Sequence, residues 1–398
     1  MTARAGTAAR GRGEWQGWVA VVALAAALAF PLVASGGDQT YLLGVGGEAI
    51  LAALFLLFAV LASLDRPRSA VGSTIIFVGA AIAAADVVLT LPAVAGLAPG
   101  PGMTASALVR ATAGFWALVA AAWALAWLTV NRLSEAHAHS PLGEMILKIA
   151  IPLIFGASII LIWEVLVRGF AVPFVIMPPP SAIWARLLTS VPTLWVDFRQ
   201  TFLKAVLAGY AIGCGSGFVV AILVDRVPFL RRGLLPIGNL VSALPIIGVA
   251  PIMVMWFGFD WPSKAAVVVA MTFFPMLVNT LAGLGASEAM ERDLMRTYAA
   301  GYWQSLFKLR LPAALPFIFN ALKINSTLAM IGAIVAEFFG TPVVGMGFRI
   351  STEVGRMNTD MVWAEIAVAA LAGSVFYGVV ALIERAVTFW HPSFRQQP

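Results

Sequence analysis

The chain has 398 residues, of which 61% are hydrophobic and only 11% are charged, and its formal net charge is +6. A soluble domain carries roughly 25% charged residues, so a soluble protein of this composition would lack the polar surface to cover its core. A bilayer removes that requirement, because apolar faces can point outward, and the composition predicts an integral membrane protein. The basic excess belongs to cytoplasmic loops in such proteins and does not indicate nucleic-acid binding.

Ten apolar runs follow one another along the chain, each of about 20 residues, which is enough to span the roughly 30 Å hydrocarbon layer of a bilayer. They predict an all-α integral membrane protein with about ten transmembrane helices. The first run has a long apolar stretch and a weak cleavage site, which disfavours a secretory signal peptide. The runs lie at about 17–35, 44–63, 71–93, 109–130, 146–168, 202–224, 235–258, 264–284, 313–338 and 362–384.

The charges between the runs orient them. With the N-terminus inside the cell, Lys and Arg are about twice as frequent inside as outside, which predicts that both termini are cytoplasmic. The polar stretch at 131–141 predicts a cytoplasmic linker between a four-helix N-terminal region, residues 1–135, and a six-helix region, residues 146–395. The role of the N-terminal region stays open. Asp86 is its exceptional buried charge, and we expect it to serve packing or to lie at the membrane interface.

The chain offers little for catalysis. Cys214 is the single cysteine and cannot form an internal disulfide, and three histidines with one cysteine cannot build a usual zinc site. The sequence has no H-E-x-x-H motif and no pair of Asp residues within one span. We therefore expect no catalytic residues, no metal site and no cofactor bound by this chain.

The segment 285–312 lies between the eighth and ninth runs and is dense in charge in an otherwise apolar protein. It predicts two short helices separated by the small residues Ala299, Ala300 and Gly301. The second helix is expected to carry Trp303, Leu306 and Phe307 on one face. Pro312 stands where the next span begins, a position that tolerates proline. An ordinary amphipathic loop lying on the membrane surface would also fit this pattern.

This segment resembles the loop of permeases of binding-protein-dependent ABC importers, which has the pattern E-A-A-x-x-x-G, nine further residues, and I-x-L-P. Aligning Leu311 and Pro312 with the final L-P places Ala299 at the Gly. Either the turn there tolerates a Cβ atom, or Gly301 supplies the flexibility. The E-A-A positions are taken by Asp293, Leu294 and Met295.

The resemblance covers about residues 146–395 and is similar to the nitrate, taurine and alkanesulfonate branch of that family. It continues through segments 313–318, 322–324, 331–338 and 345–348, and includes 178–181 and 244–245 upstream. It implies a type I permease core in a multi-pass protein of the bacterial inner membrane. Segment 294–298 is also similar to members associated with pyrimidine-type thiamine precursors or riboflavin, and sulfonate, nitrate and other solutes stay open.

The resemblance also implies partners. In this family the loop forms coupling helices that lie in a groove on a separate ATPase. The chain has no G-x-x-x-x-G-K-[ST] phosphate loop, so ATP and Mg would be bound by ATPase subunits. An extracytoplasmic solute-binding protein, a second permease copy in a homodimer, and the lipid bilayer complete the expected partners. The residues expected at the coupling contact, around 288–303, are Asp293, Ala299, Ala300, Gly301, Leu311 and Pro312.

Polar residues within the spans are candidates for a translocation path, although such groups also form interhelical hydrogen bonds. The candidates are Asn239, Ser242, Asn279, Asn325, Thr327 and Glu337. Lys323 is expected to extend towards the cytoplasmic surface. The stripe of glycines at 209, 213 and 217 predicts close helix packing, and the prolines at 245 and 251 predict a broken helix.

The sequence argues against two other functions. An ion-coupled secondary transporter usually buries several ionisable groups between inverted repeats, whereas buried charge is sparse here and no inverted repeat is visible. A membrane enzyme would need the catalytic groups that the sequence lacks. The sequence therefore favours the permease of an ATP-driven importer.

Overall fold

A computed structural model of the chain is dominated by helices, as the sequence predicts. It describes residues 15–35, 38–40, 79, 110–135, 141–227, 229–234, 236, 245–340 and 344–389. The chain forms two compact units, Met1–Ser181 and Ala182–Pro398. The sequence places the regional boundary earlier, between residues 135 and 146, and that boundary stays a prediction.

The first unit contains three described helices: α1 (Trp15–Ala29), α2 (Ala113–Glu135) and α3 (Pro141–Gly169). α1 packs on α2 through Leu24 and Phe115, and Val165 of α3 joins the same core. Three very short strands, which the sequence does not predict, form an antiparallel sheet in the order β2-β1-β3. They are β1 (Val33–Ser35), β2 (Asp38–Thr40) and β3 (Arg110–Ala111).

A cluster of tryptophans marks one end of the α1–α2 pair. The ring of Trp127 lies 5.2 Å from that of Trp15 and 5.2 Å from that of Trp123. All three side chains are exposed. Indole rings favour the headgroup layer, so we expect this end of the pair to lie at a membrane surface.

The second unit is a bundle of helices of unequal length. Two of its rods contain π-helical segments, Arg199–Val206 and Leu306–Arg310, in which the helical hydrogen bonds lengthen to five residues. The helices are α4 (Pro180–Thr189), α5 (Val191–Phe198), α6 (Leu207–Arg226), α7 (Ile246–Phe257), α8 (Trp261–Leu284), α9 (Ala289–Thr297), α10 (Tyr302–Ser305), α11 (Leu311–Glu337), α12 (Met346–Gly355) and α13 (Thr359–Val387).

Glycines bring α6 into close contact with α8, which confirms the predicted close packing. A Cβ atom added to Gly209 would lie 2.5 Å from the Cβ of Val268, and one added to Gly217 would lie 2.5 Å from the carbonyl oxygen of Phe273. At Gly213 the added atom would collide with the hydroxyl of Thr272. Only glycine fits at these three positions, because the helix backbones approach too closely for a side chain.

Five described helical rods are long and apolar enough to span a membrane: Ile151–Gly169, Val191–Arg226, Trp261–Gly285, Tyr302–Glu337 and Thr359–Val387. Three shorter apolar helices, Trp15–Ala29, Ala113–Leu128 and Ile246–Phe257, coincide with further predicted runs. Apart from residue 79, the runs at 44–63 and 71–93 lie outside the described residues, as does Asp86. The all-α membrane class is confirmed, and the count of ten spans stays a prediction.

The predicted helix break between the two prolines is wrong for the residues that are described. Pro245 precedes the first residue of α7, and Pro251 lies inside that helix, which is continuous from Ile246 to Phe257. Pro245 is extended, with ψ at 118°, and α7 begins directly after it. Inside α7, Pro251 donates no hydrogen bond, and its ring crowds the carbonyl of Ile247.

Candidate functional site

The predicted loop forms a bracket of two short helices, α9 and α10, between the long helices α8 and α11. α9 begins with a capping box in which the backbone N–H of Glu288 donates to Glu291 Oε2 at 3.0 Å. Pro312 lies in the first turn of α11, as predicted. We call residues 288–310 the bracket.

A Schellman motif ends α9 and answers the question left open at Ala299. The N–H of Ala300 donates to the carbonyl of Met295 at 3.0 Å, and the N–H of Ala299 donates to that of Arg296 at 2.9 Å. This pairing requires a left-handed backbone conformation at the residue that follows the C-cap of the helix, and that residue is usually glycine. Ala299 takes that conformation with φ at 52°. Gly301 has φ at −70°, so the turn tolerates a Cβ atom and Gly301 supplies no special flexibility.

Two arginines, one from each arm of the bracket, bind carbonyl groups at the C-terminal end of α8 and in the turn that follows it. Nη1 of Arg292 donates to the carbonyl of Ser287 at 2.6 Å and to that of Gly285 at 3.3 Å. Nε of Arg310 donates to the carbonyl of Leu284 at 3.0 Å. The last carbonyls of a helix lack partners and carry partial negative charge, so both contacts are favourable.

Arg310 also binds the last turn of α6. Its Nη1 and Nη2 donate to Oδ2 and Oδ1 of Asp225, each at 2.7 Å. The hydroxyl of Tyr302 donates to the same Oδ2 at 3.0 Å. The guanidinium of Arg226 lies 5.4 Å from the ring centre of Tyr302 and 5.6 Å from that of Trp303. We call Asp225, Arg310 and Tyr302 the clamp.

One side of α9 is apolar and exposed. Met290, Leu294 and Tyr298 recur at a spacing of four residues and are 80%, 57% and 78% exposed. This spacing aligns them along one side of the helix, where we call them the ridge. The ridge was not predicted from the sequence, although apolar residues spaced by four positions are a signal for one face of a helix. Trp303 and Phe307 continue the exposed apolar surface, with their rings stacked 6.0 Å apart.

The prediction that Leu306 shares the face of Trp303 and Phe307 is wrong. Leu306 is fully buried and packs with Cys214, Met276 and Leu284. The helix changes to π-helical hydrogen bonding at this residue, and the N–H of Leu311 donates to the carbonyl of Leu306. The wider turn rotates the following side chains, so α-helical spacing no longer describes which of them share a face.

A second polar cluster ties the bundle together at its other end. Asp197 accepts hydrogen bonds from the N–H of Gly345 at 2.7 Å and from Nε of Arg349 at 2.8 Å. Glu337 accepts from the hydroxyl of Thr201 at 2.7 Å and from the N–H of Gly347 at 2.7 Å. The end of α11 therefore lies beside the start of the α5–α6 rod, while the clamp joins their opposite ends. The two rods run antiparallel, as the predicted alternation of spans requires.

Glu365 belongs to the same end and differs from the other acids. It is fully buried, and neither carboxylate oxygen has a hydrogen-bond partner among the described residues. Outside the spans, the exposed Asp260 begins α8, where it accepts hydrogen bonds from the N–H of Trp261 at 2.7 Å and from Gln200 at 2.8 Å. These two bonds hold the pKa of the Asp260 carboxyl below its ordinary value.

The residues predicted for a translocation path occupy different places. Asn325 is buried and donates to the carbonyl of Thr272 at 2.8 Å and to the sulfur of Cys214 at 3.2 Å, so it ties three helices together. Asn279 donates to the carbonyl of Pro275 within its own helix. Glu337 lies in the second polar cluster, and Asn239 and Ser242 lie outside the described residues.

Thr327 alone among the described candidates lines an open groove. The groove has a volume of about 660 Å³ and lies between α11, α12 and α13. Its walls are mainly apolar, with Thr327, Ser374 and Tyr377 as polar exceptions.

Lys323, which was expected to extend towards the cytoplasmic surface, forms an ion pair. Its Nζ lies 2.7 Å from Oε2 of Glu384, near the end of α13. Both side chains are largely buried, with 20% and 9% of their surfaces exposed. An ion pair satisfies both charges inside the bundle at less cost than leaving one of them unpaired.

Long apolar helical rods, two of which are joined by the bracket, define a membrane-spanning protein. The family described as the binding-protein-dependent transport system inner membrane component matches residues 209–389. The chain belongs to this family of ABC importer permeases, which confirms the resemblance of the loop. It is a transport subunit without its own ATPase site, so the ion-coupled transporter and the membrane enzyme are excluded.

Relatives match at low to moderate identity over most of their own length. A formylaminopyrimidine transport permease of Halalkalibacterium halodurans is 31% identical over 60% of this chain and 95% of its own. A probable ABC transporter permease of Haemophilus influenzae is 29% identical over 61% of this chain and 99% of its own. A putative aliphatic sulfonates permease of Bacillus subtilis is 29% identical over 61% of this chain and 88% of its own.

Proposed function

We propose that this permease receives the force of ATP hydrolysis through the bracket, which docks on a partner ATPase by way of the ridge. The supporting observation is that Met290, Leu294 and Tyr298 are exposed although they lie outside the membrane-spanning rods. Apolar residues aligned on a solvent-facing helix favour burial in a groove of another protein. Each arm of the bracket is fixed to the long helices, so a displacement of the ridge moves them as rigid bodies.

The small residues beside the ridge let the partner approach closely. A Cβ atom added to Gly301 would meet nothing within 4 Å, so this position is open for contact. Asp293 is exposed, and its bond to Arg296 is long at 3.4 Å, so its carboxylate is free to meet a basic group at the rim. Leu311 and Pro312 are partly buried at the start of α11 and serve the contact by setting the angle of that helix.

The groove around Thr327 is the described feature that best suits a solute path. It is open to the surface and is not an enclosed cavity. We propose that a second copy of this chain closes the groove in a homodimer, and that two ATPase subunits bind the cytoplasmic side of this dimer. The purified complex should then contain equal numbers of permease and ATPase subunits, and transport by a single permease without an ATPase would contradict this arrangement.

We propose a small organic solute as the cargo, delivered by an extracytoplasmic binding protein. The support is that two relatives carry permease names for a formylaminopyrimidine and for aliphatic sulfonates. In this importer type the binding protein sets most of the specificity, so solute binding to the cognate binding protein is the measurement that identifies the cargo.

We also propose that both termini lie in the cytoplasm, on the strength of the charge distribution. Ser134→Cys should then react with a membrane-impermeant thiol reagent only from the inside, and Thr359→Cys only from the outside. Cys214 is buried and contributes little background. Labelling of both sites from the same side would contradict the orientation.

Docking through the ridge is tested by Leu294→Glu in the reconstituted complex. A carboxylate at this position would have to enter an apolar groove, so ATPase association should weaken by about tenfold or more, which corresponds to about 1.4 kcal/mol. Val354→Glu is the matched control, because Val354 is also exposed but lies on α12, at the opposite end of the bundle from the bracket. Equal association of both variants with the ATPase would contradict docking through the ridge.

A further inference from the structure

We propose that Asp225 is a positioning residue for coupling, because the clamp transmits movement of the bracket to α6 and α8 together. This inference rests on the proposed function of the bracket. Asp225 lies outside the bracket, in the last turn of α6. The sequence pattern of the loop does not indicate a role for it.

The geometry of Arg310 supports the assignment. All three nitrogens of its guanidinium are used, since Nε binds the carbonyl of Leu284 and the two terminal nitrogens bind Asp225. A planar guanidinium held by three acceptors cannot rotate away without losing several bonds at once. One side chain at the entrance of α11 thus fixes the ends of two neighbouring helices.

Burial makes this contact stronger than a surface ion pair. The Asp225 side chain is 9% exposed and that of Arg310 is 19% exposed. A two-pronged charged hydrogen bond with so little water around it resists screening and separation. The exposed Asp293–Arg296 pair of α9, at 3.4 Å, has neither property.

Tyr302 connects the clamp to the turn that joins the two arms. It directly follows Gly301, and its hydroxyl shares Oδ2 of Asp225 with Arg310. Asp225 therefore binds both the first residue of α10 and the last residue of the π-helical segment. Movement of the ridge reaches α6 through these contacts, whereas Arg292 of the α9 arm binds the carbonyls of Gly285 and Ser287, just after α8.

The test uses the complete complex reconstituted with its ATPase and binding protein. The readout is the ratio of substrate-stimulated to basal ATP hydrolysis per assembled complex, together with ATPase association. Asp225→Asn should lower the ratio at least fivefold while association stays within twofold of the wild type. Arg310→Gln should do the same, and the double variant should be no worse than either single variant, because the pair acts as one unit.

A loss of fold would lower the amount of complex but not the ratio, so the readout separates positioning from stability. Tyr302→Phe leaves the ion pair and the ring in place and should lower the ratio about twofold. Arg231→Gln is the control, because Arg231 is an exposed arginine on the segment after α6 and lies outside the bracket, and it should keep the wild-type ratio.

An unchanged ratio in Asp225→Asn would overturn the inference, as would additive losses in the double variant. Loss of ATPase association in Asp225→Asn would also overturn it, since the clamp would then build the docking surface itself. Failure of the proposed function is recognised separately, because Leu294→Glu would then leave ATPase association unchanged whatever Asp225 does.

Discussion

Replacing Ala299 with glycine should make the bracket more stable. Ala299 lies at φ 52°, in the left-handed region, where an L-residue with a Cβ atom costs roughly 1–2 kcal/mol. Glycine avoids that cost, but it also increases the conformational entropy of the opened loop. This second effect destabilises the closed turn by about 0.4–1 kcal/mol. The net stabilisation of the Schellman motif is therefore about 0.5–1 kcal/mol, or a two- to fivefold smaller population of the opened turn.

Hydrogen exchange measured on peptides covering 289–301 reports this opening. The amide of Ala300 donates to Met295 across the turn, so its exchange should slow by two- to fivefold in Ala299→Gly. Gly301→Ala is the matched control, because φ there is −70° and an added Cβ atom meets nothing within 4 Å. It should leave the exchange of Ala300 almost unchanged.

The opposite outcome would refute this account of the turn. If Ala299→Gly speeds the exchange of Ala300, the left-handed conformation does not hold the motif together. If Gly301→Ala disturbs the turn more than Ala299→Gly does, Gly301 supplies the flexibility after all.

The second polar cluster and the Lys323–Glu384 pair give further predictions, which thermal unfolding of the purified protein measures. Glu365→Gln should leave stability within about 1 kcal/mol of the wild type, because its carboxylate has no hydrogen-bond partner to lose. Glu337→Gln should destabilise by about 1–3 kcal/mol, because it accepts two buried hydrogen bonds; equal effects of the two changes would contradict the contrast. Lys323→Met should cost about 1–3 kcal/mol by leaving Glu384 unpaired, and adding Glu384→Met should recover most of the loss. If the double variant is as unstable as Lys323→Met, the loss of stability does not come from the unpaired charge of Glu384.

Much of the architecture follows from the sequence, because the features that set it are local. Apolar length identifies the spans, charge density identifies the bracket, and the stripe at Gly209, Gly213 and Gly217 identifies a close helix contact. The position of Ala299 in the loop pattern also predicts a special turn, and the left-handed φ at that residue gives the reason for the glycine of the pattern.

The contacts that organise the candidate site do not follow from the sequence, because their partners are distant along the chain. Asp225 and Arg310 are 85 positions apart, and neither has a local feature that predicts the other. Lys323 pairs with a residue two helices later for the same reason. The burial of Leu306 depends on a π-helical segment, and no residue type in that segment predicts the change in geometry.

The central claim is that the bracket couples this permease to its ATPase, and the change Gly301→Glu tests it most directly. The exposed position leaves room for a side chain in the permease itself, so insertion and folding should stay normal. In the docked complex the same side chain should overfill the contact. The account predicts that substrate-stimulated ATP hydrolysis of the reconstituted complex falls at least tenfold, while Gly355→Glu, at an equally open position at the end of α12, has no effect. Wild-type ATPase binding and stimulated hydrolysis in Gly301→Glu would contradict the claim.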